Sequence, residues 1–478
     1  MSLIRQLTRT KAIGGDDAGH GGGQLNRSFG LFSLTMLGVG ATIGTGIFFV
    51  LAEAVPKAGP AVMLAFLLAG VTAGLTALCY AELAASIPAA GSSYSYTYVT
   101  MGEFAAYLVA GCLLLEYALS ASATAIGWSD YLNNFLNNAF GVSIPPELRS
   151  PMLVSGKAGL EVHAGHINLP PVILVCLCGV LLLRGAKESA TVNAIMVMLK
   201  LAVLAFFAVI AFSGFHASHF TPFFNASGMT GVTAAAGTVF FSFIGLDAVS
   251  TAGAEVRDPK RNVPRGIVLA LIIVMTGYML VALTAIGAQP ATGFEGQEAG
   301  LAVILQQVTG QSWPAIVLSA GAVISVFSVT LVAIYGQTRI LFAISRDGLI
   351  PTAFQQVHPR TLAPVSNTVI VCVLVALVAS MVDSSYLWDM VSMGTLVAFF
   401  MVSLSVPVLR AKQLGRKAEG FRVPFGPYLV PGLSMAACLY IIKDLSHATF
   451  MVFFGWMAIA IVGYFVYGLH RSNLAGVR

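Results

Sequence analysis

Apolar residues recur in runs of about 20 along the whole chain, separated by shorter polar connections. A helix rises ~1.5 Å per residue, so ~20 apolar residues cross the ~30 Å of a bilayer's hydrocarbon. The pattern predicts twelve helical spans, near residues 31–52, 60–87, 103–128, 170–184, 192–213, 232–254, 266–288, 315–340, 364–382, 386–409, 427–442 and 448–469. Residues 1–30 are polar, with a glycine-rich stretch from Gly14 to Gly23, and lack the apolar segment of a cleavable signal. The first span is therefore expected to direct insertion.

Two spans carry internal interruptions. The first contains Gly38–Phe48 (GVGATIGTGIF), where Gly38, Gly40, Gly44 and Gly46 fall within nine residues. Each glycine costs a helix about 1 kcal/mol relative to alanine, so the middle of this span is predicted to be unwound. The sixth contains Phe240–Asp247 (FFSFIGLD), where Gly245 sits beside a serine and an intramembrane carboxylate. Spans 1 and 6 are five apart, and five is odd, so a repeat of five spans runs upside down relative to its partner. Paired breaks in inverted repeats are the mark of a transporter whose site lies at the membrane midplane. The expected organisation is a tail over 1–30, a five-helix repeat over 31–213, a second over 214–426, two appended helices over 427–470 and a tail over 471–478. The other explanation for the glycines is close helix packing, which Gly40 and Gly44 also satisfy by their spacing.

Composition agrees with a membrane protein: of 478 residues, 57% are hydrophobic and 9% charged, against roughly a quarter charged in soluble domains. With the N-terminus placed in the cytoplasm, 20 of the 25 Lys and Arg fall in cytoplasmic segments and 4 in external ones. That asymmetry predicts that both termini are cytoplasmic. The formal charge of +5 thus reports topology, and its scatter over short loops speaks against nucleic acid as a partner. All six cysteines lie in apolar spans, where cysteine acts as a small hydrophobe. Cys176 and Cys178 are expected on opposite sides of their helix and predict no metal site. His163 and His166, in the external loop between spans 3 and 4, lack further ligands. No nucleophile–base pair, metal cluster or phosphate-binding loop appears, so neither an enzyme nor an ATP-driven pump is expected. A channel would call for rings of repeated pore-lining residues from several subunits, unlike one long asymmetric chain.

The remaining charge stands out by its depth. Lys200 lies in Thr191–Ser213 (TVNAIMVMLKLAVLAFFAVIAFS), ~13 Å from the expected cytoplasmic end of its helix. An ammonium at that depth is costly unless paired, neutral or facing a wet cavity, so it reads as a functional residue. Glu116 and Asp247 are the other deep carboxylates, readable as counter-ions to Lys200, contacts for a cationic substrate or gate residues. Glu82 and Glu255 are expected near cytoplasmic ends, within reach of water, as structural or gating residues. Asp258–Gly266 reads as a basic cytoplasmic connection limited by two prolines.

Four longer segments carry a resemblance: Leu37–Phe48 (LGVGATIGTGIF), Ala81–Glu103 (AELAASIPAAGSSYSYTYVTMGE), Phe241–Ile267 (FSFIGLDAVSTAGAEVRDPKRNVPRGI) and Gly336–Pro351 (GQTRILFAISRDGLIP). Together they resemble the amino acid–polyamine–organocation superfamily and, within it, a bacterial member of the cationic amino acid transporter family. Ala254 departs from the pattern, since relatives often carry a second acidic residue before Glu255. The resemblance implies an all-α membrane fold with the five-plus-five inverted repeat, broken helices 1 and 6, and two extra C-terminal helices. It also implies an amino acid held between the broken helices and moved by alternating access.

An unwound segment at mid-membrane needs polar partners for its backbone, and an amino acid supplies both kinds. Its carboxylate suits the N–H groups near Thr42, Ile43, Gly44, Thr45 and Gly46, and its ammonium suits carbonyls around Phe241, Ser242 and Ile244. Phe241 and Phe243 are candidate walls or lids, and Asp247 a candidate substrate contact. The resemblance places Lys200 where sodium-coupled relatives hold a cation, between the carbonyls of span 1 and a hydroxyl of span 8, with Ser328 the first choice and Thr330 the second. Ala333, about one turn beyond Ser328, is expected to face the side-chain pocket. The expected activity is proton-coupled symport of a neutral or cationic amino acid across the cell membrane, with Lys200, Ser328 and Glu116 in the coupling; exchange or facilitation is the alternative. The expected partners are the amino acid, protons and the lipid bilayer, with a small single-span membrane partner left open and no cofactor.

Overall fold

A computed structural model describes residues 6–11, 30–44, 46–87, 92–156, 159–184, 190–245, 249, 256–358, 364–412 and 421–475. Helices α1 (Leu31–Thr42), α2 (Gly46–Ala58), α3 (Val62–Ser86), α4 (Ser92–Thr100) and α5 (Glu103–Phe140) open the chain. They are followed by α6 (Leu169–Leu183), α7 (Ala190–Phe212), α8 (Gly228–Phe240), α9 (Pro259–Ala288) and α10 (Gly300–Thr309). The chain ends with α11 (Trp313–Arg346), α12 (Val365–Met381), α13 (Ser384–Ala411), α14 (Leu429–Ile442) and α15 (His447–Gly463). Among the described residues, seven helical segments are long and apolar enough to cross a membrane. The α15 surface is apolar and bare, with Met451 72%, Phe454 61% and Ile459 68% exposed, as a lipid-facing helix requires.

Helices occupy the apolar runs that hydropathy picked out, but several of their ends differ from the expected bounds. The third was expected to stop near 128, yet α5 runs to Phe140. Asn133, Asn134, Asn137 and Asn138 end the apolar run without ending the helix, which stops where Gly141 turns left-handed at φ 70°. The stretch read as a loop from Asp258 is helical, because α9 begins at Pro259. Proline at the first helical position forfeits no hydrogen bond, whereas Pro264, inside the helix, forfeits one that the remaining turns of a 30-residue helix outweigh. The polar helix α4 and the short α10 have no apolar signature of a span. A hairpin of β1 (Leu153–Gly156) and β2 (Gly159–Val162), paired antiparallel, occupies the loop before α6.

Packing divides the molecule into a long-helix frame and the interrupted helices set against it. Helix α5 packs along α11 and α13, while α9 packs against α1 and α3. The buried apolar cluster runs continuously through α2, α3, α8, α9, α11 and α13. At one end, Glu82 is 2% exposed and accepts from Arg410 Nε at 2.7 Å, Arg410 Nη2 at 2.6 Å and the Val423 amide at 2.7 Å. The carboxylate is a buried clamp between α3 and α13, which agrees with a structural Glu82 and corrects only the expectation that water reaches it. Both chain ends dock at this side. Lys11 pairs with Asp347 at 2.8 Å, the Arg9 carbonyl accepts the Glu103 amide at 2.8 Å, and buried Glu103 accepts from Tyr98, Tyr464 and Ser472.

At the other end, Lys57 donates to Thr238 at 2.6 Å and pairs with Asp389 at 3.3 Å. Thr238 itself donates to Asp389 at 2.9 Å. One polar knot thus ties α2, α8 and α13 together, some 16 Å along α2 from its first residue.

Candidate functional site

The glycine-rich first span is broken where its composition predicts. Helix α1 ends at Thr42, Ile43 is extended at φ −78°, ψ 100°, and α2 begins at Gly46. The sixth span breaks as well: α8 stops at Phe240, a 3-10 turn covers Phe241–Phe243, and Ile244 is extended at φ −63°, ψ 144°. Gly245 follows at φ 93°, in the left-handed region that a side chain resists. The two breaks cross in contact. A Cβ on Gly46 would lie 1.9 Å from Ser242 Oγ, and one on Gly245 would lie 2.5 Å from the Ala41 carbonyl oxygen. A Cβ on Gly44 would meet Val329 of α11 at 2.1 Å. The glycines therefore do both things their spacing allowed, permitting the break and letting neighbouring segments approach.

Tyr278 of α9, which the sequence reading did not single out, joins the breaks. It is fully buried, and its hydroxyl lies 2.9 Å from the Thr42 carbonyl oxygen and 2.8 Å from that of Ser242. A phenol carries one proton, so it donates to one of these acceptors at a time. The signal available in sequence was a tyrosine inside an apolar span, since a buried phenol needs a polar partner.

Aromatic rings wall the crossing. Phe241 meets Trp388 of α13 edge-on at 4.6 Å, Phe49 stacks on Trp388 at 6.3 Å, and Phe243 packs on Tyr278 at 5.5 Å. Ser242 Oγ, Trp388 Nε1 and Ser392 Oγ are buried without hydrogen-bond partners. Unsatisfied polar atoms are rare in native interiors and call for an explanation. Here they lie on the second break and on α13, the helix whose Trp388 covers Phe241.

Lys200, 1% exposed, donates to the Gly40 carbonyl at 3.2 Å. Its helix α7 packs against both α1 and α11, the two elements expected to flank it. Ser328 is 8% exposed and Thr330 fully buried. Thr330 donates to the Val326 carbonyl of its own helix at 3.1 Å, and no hydrogen bond joins Ser328 to Lys200 among the described residues. The carbonyl side of the expected bridge is therefore present in this conformation. Thr42 also turns back on its own helix, donating to the Gly38 carbonyl at 2.8 Å. Ala333 is buried on α11. Glu116, 2% exposed, faces α13, where a Cβ on Gly394 would come within 3.7 Å of its own Cβ. Thr45, Asp247, Ala254 and Glu255 lie outside the described residues.

Away from the breaks, Cys176 is exposed and Cys178 buried, placing them on opposite sides of α6. The His163 and His166 rings are 5.6 Å apart, and no group of three or more metal-binding side chains gathers among the described residues.

Comparison with known proteins matches this architecture to a family. A model of the amino acid permease family aligns with residues 29–467. The chain is 39% identical to the branched-chain amino acid permease BcaP of Bacillus subtilis over 451 residues, covering 94% of this chain and 95% of the relative. It is 38% identical to the methylthioribose transporter of the same organism, over 94% of this chain and 95% of the relative. It is 35% identical to the vacuolar cationic amino acid transporter 2 of Arabidopsis thaliana, over 85% of this chain and 63% of the relative. These relatives are transporters, and none is an enzyme. The chain is a multi-pass membrane protein that belongs to the amino acid permease family of the amino acid–polyamine–organocation superfamily.

Proposed function

We propose that this protein is a secondary active permease that carries a neutral, apolar amino acid into the cell together with a proton. The single observation that supports this most is the crossing of two broken helices, where backbone polar groups meet beside an apolar aromatic wall. In this reading the twelve spans form two inverted five-helix repeats and an appended pair. Both termini are cytoplasmic and the membrane is the cell membrane.

The Ile43 N–H is already taken by the Val39 carbonyl at 2.7 Å, so the substrate carboxylate takes the N–H groups of Gly44 to Gly46, with Thr42 and Thr45 flanking them, and the ammonium takes carbonyls of the Phe241–Ile244 turn. Phe241, Phe243 and Val329 surround its side chain, and the small Ala333 leaves it length. Asp247 and Glu116 border the site. The apolar lining and the similarity to a branched-chain amino acid permease favour leucine-like substrates over arginine. Lys200 binds and releases the coupling proton: charged, it holds Gly40 and the end of α1, and neutral, it loosens that hold. Ser328 is its second contact when the helices rearrange.

Uptake of labelled leucine and arginine into proteoliposomes tests this reading, with methylthioribose among the unlabelled competitors. Leucine uptake is expected to rise at least tenfold with an inward proton gradient, and Lys200→Ala to remove that rise. Uptake indifferent to the gradient assigns exchange or facilitation instead. Preferential uptake of arginine overturns the substrate class.

A further inference from the structure

A second site lies away from the transport path, at the start of α9. A cavity of about 550 Å³ is lined by Arg261, Pro264, Arg265, Val268, Leu269 and Phe421, within the ~300–1,000 Å³ range of small-molecule clefts. Its floor is one face of a helix, because positions 261, 265, 268, 269 and 272 recur at helical spacing. The face changes character along its length. Arg261 and Arg265 are exposed at its head, and Val268, Leu269 and Ile272 are 39%, 40% and 55% exposed further along. Phe421, from the segment before α14, forms a wall and packs on the main apolar core.

Neither guanidinium has a hydrogen-bond or ion-pair partner among the described residues. Arg149 and Arg410, by contrast, each meet a carboxylate. Two guanidiniums one helical turn apart are well placed for forked hydrogen bonds to one phosphate. A free phosphate would use the arginines and leave the apolar half of the groove unexplained. A phospholipid uses both, its headgroup between the arginines and its acyl chain along Val268, Leu269 and Ile272.

We propose that this groove binds one anionic phospholipid. It rests on the reading of the chain as membrane-spanning, and the orientation proposed above assigns it to the cytoplasmic leaflet, where basic pockets between helices hold anionic headgroups. The opposite face of α9 gives the site a route to transport. A Cβ on Gly266 would meet Leu34 at 3.0 Å, and one on Gly38 would meet Ala270 at 2.9 Å, so α9 lies tightly on α1.

The test is lipid retention by the purified, delipidated full-length protein, read by native mass spectrometry with dioleoylphosphatidylglycerol or dioleoylphosphatidylcholine. Retention of the anionic lipid is expected to exceed that of the zwitterionic one about tenfold, and Arg261→Gln/Arg265→Gln to abolish the difference. Phe421→Ala, which opens the wall and keeps both charges, is expected to weaken retention partially. If the double variant does not elute as the parent does, Arg265→Gln alone carries the test. Equal retention of the two lipids overturns the proposal, as does preference unchanged by removing the arginines. Thermal stabilisation matched by inorganic phosphate alone also overturns it, leaving a simple anion site. No step uses substrate or a gradient, so this result and the uptake result stand apart.

Discussion

Tyr278 is the residue on which the two broken backbones converge, and its chemistry sets a limit on what they can do. Its hydroxyl lies within hydrogen-bond distance of the Thr42 and Ser242 carbonyls, but it has one proton to give. One carbonyl is left to another donor, and in the proposed function that donor is the substrate ammonium. Tyr278→Phe leaves both carbonyls without the phenol, at about 1–3 kcal/mol for a buried unsatisfied group. The variant is expected to insert normally and bind leucine about tenfold more weakly, measured by ligand-induced thermal stabilisation. Binding as in the parent protein would relegate the phenol to packing. Gly46 sets a steric limit at the same crossing. Gly46→Ala is expected to abolish uptake while membrane abundance persists, because the new Cβ would fall 1.9 Å from Ser242 Oγ. Gly432→Ala serves as the control, since nothing lies within 4 Å of a Cβ there.

At the scale of elements, the knot of Lys57, Thr238 and Asp389 holds the α2 and α8 halves of the broken helices against α13. Asp389 is 8% exposed, so removing its charge strands a partly buried lysine. Asp389→Asn is expected to speed hydrogen exchange in α2 and α8, read by mass spectrometry, with exchange in α5 unchanged. Equal exchange in all three helices would show that the knot does not restrain them. Hydrophobicity made the elements legible where burial in lipid is the cause, and illegible where it is not. Helices such as α7 and α12 differ from their expected bounds by one or two residues. The asparagines closing α5, the prolines opening α9 and the polar α4 are helical for reasons of local propagation and tertiary packing, which hydropathy does not measure. The same division holds at the site. Glycine density revealed the first break, a single glycine beside a serine and a carboxylate marked the second, and an isolated charge drew attention to Lys200. Tyr278 and the Glu82 clamp depend on which distant carbonyl or arginine lies opposite, a matter of three-dimensional pairing.

The whole molecule contrasts parts that are tied at both ends with parts that are interrupted in the middle. Helices α5 and α11 have 38 and 34 residues, about 57 and 51 Å at the helical rise, and they lie packed together. Both exceed the ~30 Å hydrocarbon thickness, and neither has a break at its centre. Such a pair is a built-in fiducial. Spin labels at the exposed positions Phe140 and Trp313 are expected to hold one separation in pulsed dipolar spectra, with and without substrate. A label on exposed Phe32 of α1, paired with the same Trp313 reference, is expected to report two separations. A shifting Phe140–Trp313 distance would mean that the frame itself bends. The long helices thus provide a molecular coordinate system, against which any travel of the short ones can be expressed in ångströms.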